Sequence, residues 1–260
     1  MHYKRNRGLR VKDFWFVEDR NRKEENGADF AQYHDMCVAP NDLDGLMVQQ
    51  DRQTLVNNLL ESEEEIVSRF KKNTKYEIKR AEKEQCYCMH YTGEELAKQT
   101  DILKRVDTAH KQMFADKGKK SKGEYATMFA AAKENMLHVS IGYLSSGEEC
   151  AYHVYIAGNG TTRLLHSITL FRNAESNDVK NAIGRLNRFL HYEDMLWFKE
   201  HGYCVYDWGG YSEEEHLKSI SEFKKAFGGE LANRYTMIYA TSPLGKLMSG
   251  LVRIIKFKGK

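Results

Sequence analysis

The chain has 260 residues, 41% apolar and 30% charged, which is a folded globular composition and excludes a disordered one. No run of about 18 apolar residues occurs, so no segment reads as a membrane span, and with two prolines there is no proline-rich linker. The net charge of +3 is uneven: residues 1–12 and 244–260 each hold five basic and no acidic residues, so the body between them is acidic and is not a general nucleic-acid binder.

In chain order, FWFVE, ADFAQYHDMCV and LMVQQDRQTLV read as short strands. A helix is predicted from Ser62, capped by a Ser62/Glu65 box, to about Glu84. CYCMHY reads as a strand. Helices follow over about 94–115 and 123–136, separated by the loop DKGKKSKG. Three strands, LHVSIGYL, ECAYHVYIAG and TTRLLHSITLF, are joined by SSGE and GNGT turns. After the polar loop RNAESND a helix is predicted over 179–201, then a strand YCVYDWG. Ser212 and Glu215 form a second capping box opening a helix that Gly228 and Gly229 stop. GELANRYTMIYAT is the last strand. The order suits an α+β fold, a mostly antiparallel sheet flanked by helices. The reading divides the chain at 1–97, 98–243 and 244–260.

Some residues break their element's pattern. In the helix after Ser212, the apolar stripe is Leu217, Ile220, Phe223 and Phe227, and Lys224 falls on it. Either Lys224 snorkels from the stripe edge, or its ammonium is held in a cleft to meet developing negative charge. Asp207 ends a strand at a Trp-Gly-Gly turn, where it either bonds its own backbone or holds an incoming amine. Tyr206 and Tyr235 are hydrogen-bond donors or plain sheet residues. In the 179–201 helix, Glu193 lies within the face of Ile183, Leu186, Leu190 and Trp197, as a solvent-facing edge or as a partner for Lys224. Arg69, Lys72, Tyr76, Arg80 and Lys83 share one face of the Ser62 helix. That face is either solvated or fits a diphosphate-sugar acceptor. The five cysteines are odd in number and show no paired zinc spacing, so no metal is expected and a reduced setting fits.

The segments NTKYEIKRAEKE (73–84), LNRFLHYEDMLWFKEHGYCVYDWGG (186–210) and SEFKKAFGGELANRY (221–235), with this element order, resemble the Fem family of the GNAT acyltransferase superfamily, the FemA, FemB and FemX-like transferases. The resemblance implies a GNAT-like fold whose first unit is trimmed. It implies transfer of an aminoacyl group from aminoacyl-tRNA to an amine of a peptidoglycan or other cell-envelope precursor. It also places the family's lysine at Lys224, beside Phe223. The donor is then a substrate, and no separate cofactor is expected. The alternatives are an acyl-CoA-dependent GNAT enzyme and a non-catalytic binding module on the same fold. GNAT enzymes cradle pyrophosphate in a Gly-rich loop before a helix. Here FRNAESNDVKNAIG has only Gly184, inside the helix, which argues against CoA.

No apolar stretch follows the basic N-terminus, so a cytoplasmic protein is expected. In 244–260, Leu244, Leu247, Leu251 and Ile255 recur at helical spacing among basic residues. Such a segment packs on the body, meets tRNA phosphates, or lies peripherally on an anionic membrane.

Overall fold

The computed structural model describes residues 2–6, 8–39 and 41–249. The chain forms two compact units, Met1–Gln53 with Ala232–Lys260, and Thr54–Leu231. Residue 97 lies in the second unit, inside a helix.

The first unit holds β1 (His2–Asn6), β2 (Arg10–Trp15), β3 (Phe30–Met36), the start of β4 (Leu46–Asn58) and most of β10 (Glu230–Ala240). β1 runs antiparallel to β2, β2 parallel to β3, and β3 antiparallel to β10. β1 lies where the sequence suggested no strand, and β2 starts four residues before FWFVE. Its core is small and aromatic: Phe14 stacks on Tyr33 at 4.6 Å, and Tyr33 meets Tyr239 edge-on.

The second unit carries the three-strand meander, as β6 (Leu137–Tyr143), β7 (Glu149–Gly158) and β8 (Thr161–Thr169). β5 (Tyr87–Thr92) adds at one side, and β9 (Val205–Asp207) then the end of β4 at the other. All pairs are antiparallel except β8 with β9. That parallel pairing is short: it joins Thr161–Arg163 to Val205–Asp207, and β8 runs on to Thr169 past the end of its neighbour. β6 is buried along its whole length and β7 nearly so, which requires cover on both faces. α2 (Lys72–Lys83) and α6 (Asn177–Glu200) supply one cover, with Ile78, Ala81, Leu186, Leu190 and Phe198 in a core shared with Ala151 and Tyr155 of β7. α3 (Gly93–Lys98), α4 (Thr100–Ala115) and α5 (Tyr125–Lys133) supply the other. The GNAT-like α+β layer expected from the sequence is therefore the fold observed.

Three helices differ from expectation. The one read over about 94–115 is broken at Gln99 into α3 and α4. The Ser62 helix is two pieces, α1 (Glu63–Ser68) and α2, because the chain turns at Phe70 to place that ring on Phe227, while the Lys71 amide bonds the Ala226 carbonyl. Of the basic face read across it, Lys72, Tyr76, Arg80 and Lys83 share the exposed side of α2, while Arg69 lies outside that helix; Arg69 pairs with Glu61 and Arg80 with Glu84. The third helix does not start at Ser212. A short turn, Glu215–Leu217, precedes α7 (Lys218–Lys225). Ser212 is tied to Ser221 instead, whose hydroxyl donates to its carbonyl at 2.6 Å. The Gly228 stop is as expected, at φ +72°.

The described part of the C-terminal segment is helical over 243–249 and exposes Leu244 and Leu247. Leu251, Ile255 and the last four basic residues lie outside the described residues. No helix among those described is long and apolar enough to cross a membrane.

Candidate active site

A cavity of about 370 Å³ opens in the second unit where β8 outruns β9. Leu164, Ser167 and Thr169 of β8 form one wall, Asn187 and His191 of α6 another, and Trp208 and Phe223 close it with rings. Ile220, placed on the buried stripe by the sequence, is exposed and lines this cavity. The polar lining is cationic: Lys224, Lys117 and Arg172, with no acidic residue among the lining side chains. Such a pocket suits a ligand with a carbonyl or phosphate oxygen to present.

Lys224 is on the stripe because the stripe faces a cavity as well as a core. Its ammonium donates to the Gly210 carbonyl at 2.6 Å. Burial, with Arg163 nearby, pushes its pKa down to about 8, and Asp207 offsets part of this. It is thus a cation at neutral pH that gives up its proton readily. No ion pair joins it to Glu193 among the described residues. Burial and neighbouring acids, Asp194 first, instead raise Glu193 to about 7.

Asp207 is fully buried and acts inside the turn. Its Oδ1 accepts from the Thr54 hydroxyl at 2.6 Å and from the Gly209 amide at 2.8 Å, with Arg163 at 3.6 Å. Gly209, at φ +73°, lets the turn pass where any Cβ would sit 2.0 Å from the Leu164 carbonyl oxygen. The turn in turn presents the Gly210 carbonyl to Lys224. Asp207 positions this turn and is not among the residues lining the cavity.

A second constellation escaped the sequence reading. Asp194, His153, Tyr155, Tyr206 and His191 are all buried and joined. Tyr155 donates to Asp194 Oδ2 at 2.5 Å, and the Tyr155 and Tyr206 hydroxyls are 2.7 Å apart. His191 Nδ1 lies 2.8 Å from the Tyr206 oxygen. The proton order that satisfies this chain runs His191 Nδ1–H to Tyr206, Tyr206 to Tyr155, and Tyr155 to the carboxylate. His191 is left with Nε2 as its acceptor nitrogen, and burial, with Lys224 and Arg188 among the lesser causes, drives its pKa well down, so it is neutral. On the other side, His153 Nδ1 meets Asp194 Oδ2 at 2.6 Å, and its Nε2 lies 3.0 Å from the Asn187 amide. The available signal was a polar stripe, Asn187, His191 and Asp194 at spacings of four and three on α6, facing His153 and Tyr155 at spacing two on β7. The apolar face assigned to the helix holds for Ile183, Leu186 and Leu190, while Trp197 is only part-buried.

Of the sequence candidates, the structure brings Lys224 and Phe223 to the cavity and Tyr206 to its hydrogen-bonded floor. Arg69, Tyr76, Arg80 and Glu193 do not line it. Tyr235 belongs to the first unit, on β10 opposite Met36.

No family model and no curated protein sequence matches the chain. Among solved structures, the crystal structure of FemX superposes with a TM-score of 0.62 at 13% identity, over 93% of this chain and 83% of that one. The C-terminal domain of a putative lysylphosphatidylglycerol synthetase from Agrobacterium fabrum superposes at 0.51 and 11% identity, over 96% and 83%. At these identities the likeness is one of fold, and the chain has the Fem-like, GNAT-type fold that its sequence motifs resemble.

Proposed function

We propose that the chain is an N-acyltransferase, and that it takes an aminoacyl group from aminoacyl-tRNA to an amine of a cell-envelope precursor. The observation that carries the reading is the pairing, at one cavity, of a proton-yielding ammonium at Lys224 with a neutral imidazole at His191. Amine acylation needs both. The acceptor amine attacks the ester carbonyl, a C–N bond forms, and His191 Nε2 takes the amine's proton. The Lys224 ammonium meets the tetrahedral oxyanion. The C–O bond then breaks, and Lys224 supplies the proton to the departing ribose hydroxyl. Its pKa near 8 suits that donation better than an ordinary lysine's would.

The donor assignment rests on the Fem resemblance and on the loop between β8 and α6. That loop has no glycine, and the Ser176 hydroxyl already caps the Val179 amide at the start of α6. A pyrophosphate would have to compete with that cap and with Asp178 in the first turn. The test is a purified assay with charged tRNAs and nucleotide-linked or lipid-linked muropeptides, beside thermal shifts with CoA and acyl-CoAs. Aminoacyl transfer with no CoA response is expected. Saturable stabilisation by CoA overturns the tRNA reading in favour of an acyl-CoA enzyme. Inertness toward both donors leaves a binding module.

A further inference from the structure

We infer that His90, His138 and Asp194 form a buried site for one divalent first-row cation, for which Zn²⁺ is the probe. The site is distinct from the cavity and lies between β5, β6 and α6.

Asp194 presents its two oxygens to different neighbours. Oδ2 is taken up by Tyr155 and His153. Oδ1 is fully buried and makes no well-formed hydrogen bond. The Ser140 hydroxyl also lowers the Asp194 pKa, and it too is buried without a well-formed bond. A buried carboxylate oxygen in that position costs free energy unless something positive meets it.

Two imidazoles converge on the same point. His90 Nδ1 lies 3.6 Å from Asp194 Oδ1 and 3.2 Å from His138 Nε2. All three atoms lie within 4.8 Å of one another. Tetrahedral Zn²⁺ with bonds of about 2.0–2.1 Å spaces its ligand atoms about 3.3–3.4 Å apart, between the two distances seen. The outer contacts suit ligation. His90 Nε2 faces Cys88 Sγ at 3.4 Å, so Nδ1 is the nitrogen turned to the site, where without an ion it shares one proton with His138 Nε2. Trp197 packs on both rings, within 5.4 Å of His90 and 4.2 Å of His138. A cavity of about 270 Å³ lined by His138 and Trp197 gives a way in. The neighbouring trio of His153, His191 and Asp194 is a poorer candidate. Its His153–Asp194 contact of 2.6 Å is a hydrogen bond, too close for two ligands of one ion.

The test uses the full chain. Metal content is measured as purified, and the chain is then stripped with chelator and titrated with Zn²⁺ and with Co²⁺, whose visible bands report tetrahedral ligation. One equivalent per chain is expected, with a melting temperature that falls on stripping and recovers with Zn²⁺. His90→Gln and His138→Gln, checked for fold by circular dichroism, each weaken Co²⁺ binding by about 100-fold or more. His216→Gln, on the surface, leaves it unchanged. Asp194 is kept intact because it also braces the cavity. A wild-type chain with no metal, no saturable Co²⁺ band and no thermal response overturns the site. So does a band that survives in either ligand variant.

Discussion

At neutral pH the Lys224 ammonium is held against the Gly210 carbonyl with Arg163 and Asp207 nearby, in surroundings that favour the free amine. Lys224→Met is expected to lower turnover by about 10²–10³, the effect of losing one oxyanion donor, while Lys225→Met on the exposed side of α7 changes little. Stability moves the other way. Folding lowers the Lys224 pKa from 10.5 to about 8, so below pH 8 both states are charged and the folded state bears the cost of burial. As pH rises from 8 toward 10.5 the folded state sheds its proton first, so the cost is relieved and stability rises. Lys224→Met removes the cost, so at pH 7 the variant melts no lower than the parent, with a gain of up to ~1–3 kcal/mol. The rate itself declines above about pH 8 as the ammonium is lost, and Lys224→Arg moves that decline upward. A pH–rate profile of the three proteins checks this. Loss of rate with equal loss of stability would make Lys224 a structural residue.

Two Ser-x-x-Glu signals looked alike in the sequence and differ in the fold. At Ser62 the capping box forms, because Ile66 and Phe70 follow at helical spacing and are buried. Three glutamates follow each serine, but the next residue is Ile66 in one and His216 in the other. Nothing apolar docks the first turn after Ser212, and Ser221 ties Ser212 into another shape. The meander was legible because its alternation and its Gly-containing turns agree with one another. The break after α1 was not, since it depends on Phe227, more than 150 residues away. The turn after β9 yields a prediction of its own. Gly209→Ala puts a Cβ against the Leu164 carbonyl at an unfavourable φ, and is expected to cost about 2–4 kcal/mol. Gly202, at φ +80°, has nothing within 4 Å, and its alanine variant costs about 1 kcal/mol. Denaturant midpoints compare the two, and equal costs would show that the turn yields to fit the methyl group.

For the whole molecule, fold class could be read from element order, but the cavity could not. It collects side chains from the end of α4, β8, α6 and α7, and only Lys224 announced itself by breaking a local pattern. The histidine network was silent for the same reason: His153, His191 and Asp194 meet across two elements, and a histidine on a packed face has no periodic signature. The C-terminal segment bears on where the molecule works. Leu244 and Leu247 are exposed beside Lys246, and four further basic residues follow in 250–260. Exposed leucines with neighbouring cations favour an anionic lipid surface, each cation adding about 1 kcal/mol at low salt. The full chain is expected to co-sediment with phosphatidylglycerol vesicles in low salt and to be released as salt rises. A 1–242 truncation stays in solution. If both forms stay in solution, the segment does not serve a membrane.

The early end of β9 has one more consequence. Past Arg163 no described strand pairs with β8 on that side, and Ser167 and Thr169 of this unpaired stretch border the cavity. An extended acceptor laid along this margin would be read through its main chain, as an added strand is. Main-chain recognition is indifferent to most side chains, so acceptors alike in backbone and differing in residue would be handled at similar rates, while N-methylation of one peptide bond would be felt strongly.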